Sequence, residues 1–296
     1  MLSVLSESGL TMSISPSGLF RLPNELLLIV TTKLNQRDLV FLSCTCKSNF
    51  NLLKSALAEF KLFDALLDGN DDLARQLTGQ PFIDLSVLHK GLSLLHVAVA
   101  QGNPCITAWL ISKSKRLLEV HDGTGQTALM SAVCWKEENI FKFLIDKGAS
   151  VNAQDDSGFT ALHFAAEDGD TSMVSQLLEA GASVLLADSN GWTAVLLAVK
   201  ENHVPIVVKL ITQGANPSAK NSSGENALYW AVRNGNMDMV RLLINNGADP
   251  KSIDTDKDGN TVLHWAARRR SRDIIRLLVM RGADLRVENS EGVTSL

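Results

Sequence analysis

The chain has 296 residues, 45% apolar and 20% charged, with a net charge of -4. That balance describes a folded chain, excludes the broad attraction to nucleic acid or anionic membrane that excess Lys and Arg confers, and leaves no apolar run near the ~20 residues that span a bilayer. Four cysteines, Cys44, Cys46, Cys105 and Cys134, are too few for a disulfide scaffold and point to a reducing compartment, cytoplasmic or nuclear.

Residues 1–19 are Ser-rich, carry one Glu and contain no Lys or Arg. They lack the basic start and long apolar stretch of a secretory signal and are expected to be disordered. A helix is predicted to begin at Pro23, which suits a first helical turn, with Glu25 favouring its dipole. The five apolar residues that follow, Leu26 to Val30, cover the whole circumference at about 100° per residue, so such a helix must be buried on more than one side. A segment of about 35 residues rarely supplies that cover by itself.

The order Leu22-Pro23, Glu25-Leu26, Ile29, Leu34, Asp38-Leu39, Leu42, Cys46-Lys47 and Phe50 resembles an F-box, here assigned to 20–57. One departure is Asn49, where many F-boxes place an aromatic. The resemblance implies three helices that dock on a Skp-type adaptor and, through it, on a cullin complex. Leu22, Pro23, Leu26, Ile29, Leu39, Leu42 and Phe50 would face the adaptor. The alternative reading of this segment is a helical cap on whatever follows it.

Residues 58–87 read as linker helices or a degenerate partial repeat, from Leu66-Leu67, the Gly69-Asn70 break, Leu73 and Leu77. From residue 88 a period takes over. Gly125, Gly158, Gly191 and Gly224 are spaced by 33, and Gly259 and Gly292 follow after steps of 35 and 33. Two further series keep phase: the Gly-Ala pairs at 148, 181, 214, 247 and 282, and Ala132, Ala165, Ala198, Ala231 and Ala266.

The copy 155–187 supplies the physics. Gly158 allows a tight turn, Thr160 caps a short helix of small residues, and Gly169 breaks it. Met173, Val174, Leu177 and Leu178 give a second amphipathic helix, which Gly181 ends. A unit of this size cannot bury its own apolar face, so neighbours must stack.

Gly158, Thr160, Leu162-His163, Ala165-Ala166, Leu177-Leu178 and Gly181-Ala182 closely resemble the ankyrin repeat. The usual proline after the Thr is Ala128, Ala161, Ala194, Ala227 and Val262 here. The expected fold is therefore all-α: a three-helix F-box, then an ankyrin solenoid with short β-hairpin-like turns. Six repeats occupy 88–289 and an incomplete one 290–296. That last unit stops at the start of its first helix, leaving Ile275, Leu278 and Val279 with little expected cover.

Other signals are set aside on chemistry. The run Asp254 to Gly259 opens like a calcium-binding EF-hand loop, but the twelfth position, which must be Glu, is Trp265. His96, His163 and His264 share one repeat position, where ankyrin histidines bond between neighbouring turns. Cys44 and Cys46 have no second ligand pair nearby, so neither zinc nor a RING-type centre is expected. No nucleophile, phosphate-loop or dinucleotide motif appears, and neither enzyme activity nor a cofactor is expected. Arg268-Arg269-Arg270 with Arg272 reads as a solvated basic surface, with an acidic-ligand site or a nuclear-import signal as alternatives.

Ankyrin arrays bind through a concave face of turn fingers and inner helices. On it the resemblance places Trp135, Phe159, Glu167, Asp168, Trp192, Lys200, Lys257 and Arg268 as target-binding candidates. The alternative for Phe159 and Trp192 is packing against the next finger. The expected function is protein binding: an SCF substrate receptor, with the F-box on the adaptor and the ankyrin face on an unknown target. An ankyrin scaffold or inhibitor with a helical N-terminal cap is the alternative. No nucleic acid or membrane partner is expected.

Overall fold

The computed structural model describes residues 2–5, 11–14, 61–66, 68–78, 85–86, 88, 91–251, 256 and 258–295. The F-box assignment at 20–57, with all seven adaptor-facing candidates from Leu22 to Phe50, lies outside these residues, as does Lys257. The chain forms two compact units, Met1–Gly123 and Thr124–Leu296.

In the first unit, strands β1 (Leu2–Leu5) and β2 (Thr11–Ile14) pair antiparallel with Leu2 opposite Ile14. A stretch expected to lack regular structure thus contains a hairpin. The strand Thr11–Ile14 alternates hydroxyl and apolar residues, and Leu2 to Val4 does the same before Leu5 breaks the pattern of period two. Helical residues 61–66 bury Leu62, Phe63, Ala65 and Leu66, and α1 (Asp71–Thr78) follows, opened by the Asn70 side chain accepting from the Leu73 N–H at 3.1 Å. Then come α2 (Leu94–Ala100), α3 (Pro104–Lys113) and a 3-10 helix (Lys115–Glu119).

The second unit is a stack of helix pairs. They are α4 (Ala128–Cys134) with α5 (Glu138–Asp146), α6 (Ala161–Asp168) with α7 (Thr171–Glu179), and α8 (Ala194–Lys200) with α9 (Val204–Thr212). Then follow α10 (Ala227–Asn234) with α11 (Met237–Asn245), and α12 (Val262–Arg268) with α13 (Arg272–Met280).

The alanine series lies at the centre of this stack. Ala132, Ala165, Ala198, Ala231 and Ala266 are fully buried, and α6 packs against α4 on one side and α8 on the other. A larger side chain would hold these neighbouring helices apart. The outer helices contribute Ile140, Phe141, Leu144, Met173, Val174, Leu177, Ile206, Val207, Leu210, Met239, Val240 and Leu243 to the same core. Leu278, expected to lack cover, is fully buried. Ile275 is half-buried, while Val279 and Met280 face solvent.

Helix starts follow local side-chain chemistry. Thr193 and Asn226 accept from backbone N–H groups three residues on. Thr160 and Thr261 differ, because a histidine completes the cap. The Thr160 N–H donates to Nδ1 of His163 at 3.1 Å and its hydroxyl lies 2.8 Å from the same nitrogen. His264 holds Thr261 identically. The second helices have their own caps, unforeseen from the sequence: Asn103, Asp170 and Asn236 each accept from the N–H three residues on.

Between the helices of a pair, one residue adopts left-handed backbone. Gly102, Gly169 and Gly235 fill this place in three pairs, but Lys136, Asn202 and Arg270 fill it in the others, with φ of 58°, 66° and 55°. A β-carbon there costs about 1–2 kcal/mol, which asparagine partly recovers through local hydrogen bonds. Arg270→Gly and Lys136→Gly are each expected to stabilise the protein by about 0.5–1 kcal/mol, after allowing for the extra chain entropy of glycine. Urea melting checks this, and a lower midpoint would show that side-chain contacts outweigh the strain.

Candidate interaction surface

Each finger is built by one carboxylate or amide. Asp155 Oδ1 accepts from the N–H groups of Ser157 and Phe159 at 2.9 and 2.8 Å, tying the turn at two points. Asp188, Asn221, Asp256 and Asn289 repeat the arrangement. Isolated bridges such as Ala187 to Thr193 close the finger bases, the hairpin-like turns expected from the sequence. Adjacent fingers are stitched by backbone bonds, Ser189 N–H to Ser157 O at 2.9 Å and Ser222 N–H to Asn190 O at 2.8 Å. Asp256 also accepts from the Trp265 indole N–H at 3.0 Å. That residue of the EF-hand-like run is thus occupied by turn and ring contacts. Among the described residues, no cluster of three His, Cys, Asp or Glu side chains is placed to hold a metal.

Histidines connect successive pairs. The Nε2 of His163 bonds the Trp192 carbonyl at 3.1 Å, and that of His264 bonds the Val293 carbonyl at 2.9 Å. With Nδ1 accepting from Thr160, the proton of His163 resides on Nε2. Burial pushes its pKa below the ordinary histidine value. These bonds between turns are the role the shared position implied. Partial burial, then the carboxylates of Asp168, Asp155 and Glu167, push the Cys134 thiol up to about 11. It is therefore protonated at neutral pH.

The sequence-derived candidates fall into three groups. Trp135 is 62% exposed at the end of α4, and its neighbour Lys136 pairs with Asp168 at 3.3 Å. Phe159 is half-buried and packs on the rings of His163 and Phe164, within its own repeat. Lys200 links Glu167 at 3.7 Å with Glu201 at 3.0 Å and lies over the Trp192 ring at 5.5 Å. These partly exposed pairs add little stability. Trp192 also packs on Trp230 of the next repeat, with centroids 5.5 Å apart.

Trp230 opens a continuation of which the sequence reading named only Arg268. The Arg233 guanidinium lies 4.6 Å from the Trp230 ring centre and 5.4 Å from that of Trp265, and Arg268 lies 5.3 Å from Trp265. Tyr229 stands edge-on to both tryptophans. Burial, then the Glu225 carboxylate, push its hydroxyl up to about 12, so it serves as a neutral ring. The result is a ridge of aromatic rings and cations in continuous contact over three repeats. Each such contact is worth ~0.5–2 kcal/mol. The Trp230 indole nitrogen is buried and meets no acceptor, a cost of about 1–3 kcal/mol.

The family model for ankyrin repeats (3 copies) matches residues 62–155, 148–221 and 198–289. The chain belongs to the ankyrin-repeat family. Among solved structures it is similar to the ankyrin repeat domain of Bcl-3, a unique member of the IkappaB protein family. The identity is 31% over 69% of this chain and 92% of that one, with a TM-score of 0.60. No curated protein matches. Ankyrin repeats are protein-interaction scaffolds, so the chain's function is protein binding. No described helix is long and apolar enough to cross a membrane.

Within the ankyrin scaffold, a signal for the ridge did exist. The fourth residue after each cap of an inner helix reads Ser131, Phe164, Leu197, Trp230 and Trp265. The seventh reads Cys134, Glu167, Lys200, Arg233 and Arg268. One column grows aromatic while the other turns from acidic to basic, and neither is dictated by the repeat.

Proposed function

We propose that this protein is a substrate receptor that holds a target protein on the ridge from Lys200 to Arg268 and presents it, through residues 20–57, to a Skp-type adaptor and cullin complex in the cytoplasm or nucleus. The observation that carries target binding is the ridge itself. It keeps partly exposed aromatic and arginine side chains, the residue types that dominate interface energies, on a surface where packing does not require them. The F-box resemblance of Leu22 to Phe50 supports the adaptor half. Trp135, Asp168 and Lys257 would extend the contact beyond the ridge. Catalysis would come from tethering alone, which raises the target's effective concentration beside a charged ubiquitin-carrying enzyme.

The test is co-purification of the full chain with the adaptor. Leu26→Asp combined with Ile29→Asp should cut adaptor recovery at least ~10-fold, as expected when charges enter an apolar interface. Equal recovery by both forms would sink the ligase reading. The second reading is an ankyrin scaffold or inhibitor without a ubiquitin role. It is favoured by the family matches, which begin at residue 62 and leave the F-box-like segment outside.

A further inference from the structure

We infer that the ridge takes an extended acidic peptide, with carboxylates at alternate residues, across Arg233 and Arg268. The inference rests on the target-binding half of the proposed function and names the chemistry of the target.

Among the described residues, neither Arg233 nor Arg268 is in an ion pair; each is held instead by aromatic rings. A stacked guanidinium keeps its in-plane N–H groups for a partner and has already lost much of its rotamer freedom. The ring faces are also taken. Trp230 has Arg233, Trp192 and Tyr229 around it, and Trp265 has Arg233, Arg268 and Tyr229. Nucleobases would find no free platform on which to stack, and a cationic ligand would meet guanidinium groups first. The nearby carboxylates are engaged elsewhere, Asp256 by its own turn and the Trp265 indole and Glu225 by the Asn221 amide, so the arginines keep donors that fit further carboxylates.

Geometry sets the spacing. Arg233 and Arg268 both lie within 5.4 Å of one ring centre, that of Trp265. Side chains on one face of an extended chain recur every two residues, about 7 Å apart. A glutamate at every second position can therefore meet both arginines. Carboxylates four residues apart, at about 13 Å, overshoot the pair. At the other end of the ridge, Glu167 and Glu201 already neutralise Lys200, so the acidic stretch is placed at the α10–α12 end.

The experiment uses the full chain and fluorescence anisotropy of a labelled peptide in which glutamate alternates with serine. Its glutamine counterpart and a single-stranded oligothymidine are measured alongside. The glutamate peptide should bind, should weaken as salt rises, and should outcompete both others. Arg233→Gln with Arg268→Gln should weaken it about tenfold or more, while the lysine pair retains part of the affinity. Arg241→Gln with Arg276→Gln, in a separate groove along α11 and α13, should change it less than about twofold. Circular dichroism on each variant reports folding.

Equal binding of the glutamine peptide, preference for the oligonucleotide, or no loss in the folded Arg233/Arg268 variant overturns the inference. Adaptor recovery measured on the same samples separates the two claims. Recovered adaptor without peptide binding sinks this inference alone, whereas peptide binding without adaptor sinks the ligase reading alone.

Discussion

Gly158→Ala is expected to destabilise the protein by about 2–4 kcal/mol, more than its chemistry implies. Two costs add. The glycine has φ of +84°, where any β-carbon costs about 1–2 kcal/mol. A β-carbon would also lie 3.0 Å from both the Asp188 Cα and the Ser189 nitrogen, which are backbone of the next finger. Backbone cannot swing aside as a side chain can, so the contact must open and strain the Ser189 to Ser157 hydrogen bond. In a stacked array, stability is a sum over repeats and their interfaces, and this substitution strikes an interface. The control is Gly181→Ala, where φ is +87° and nothing lies within 4 Å. It should lose only the backbone term less the chain entropy that glycine costs, about 0.5–1 kcal/mol. Urea midpoints decide, and equal losses in the two variants would remove the finger contact from the account.

His163→Leu is expected to cost about 3 kcal/mol at pH 7.5 and to flatten part of the stability's pH dependence. Leucine fills most of the volume but leaves the Thr160 N–H and hydroxyl and the Trp192 carbonyl without their partner. Each buried group so stranded costs about 1–3 kcal/mol, reduced where water reaches the half-buried finger.

The pH effect has a definite sign. Burial holds the folded pKa of His163 below 6.5, and a proton on Nδ1 would oppose the Thr160 N–H already directed at it. The unfolded chain therefore takes up the proton first as pH falls. The His163 contribution is complete above about pH 6.5, is lost as pH drops from there toward the lower folded value, and then levels off. Its slope is at most about 1.4 kcal/mol per pH unit. Subtracting the leucine variant's urea stability from the wild type's at pH 7.5, 6 and 5 isolates it from the other histidines. A difference that stays constant across that range would contradict the assignment.

Much of the fold was legible because the backbone restricts residue type at fixed places. Gly158 stands where φ must be positive and the neighbouring finger is close. Ala165 stands where an inner helix touches two others. The caps were half legible: the sequence points to Thr160 as the cap, but nothing in it shows that His163, expected to bond between turns, also completes that cap. That histidine does both, since one imidazole nitrogen serves each. Lys136, Asn202 and Arg270 show the limit of reading glycines alone, since the turn persists where glycine is absent and the strain is tolerated.

The sequence by itself determined the repeat, its two helices and its fingers, because each depends on contacts within one unit or on an identical neighbour 33 residues away. It did not determine the ridge. Trp230 and Trp265 sit 35 residues apart, at positions where the scaffold accepts Ser131 or Leu197 equally well. Only stacking of α10 beside α12 brings Arg233 between their rings. Packing within a repeat constrains its own sequence, whereas the outward surface of neighbouring repeats is constrained by whatever binds there, and a single sequence carries no record of that partner.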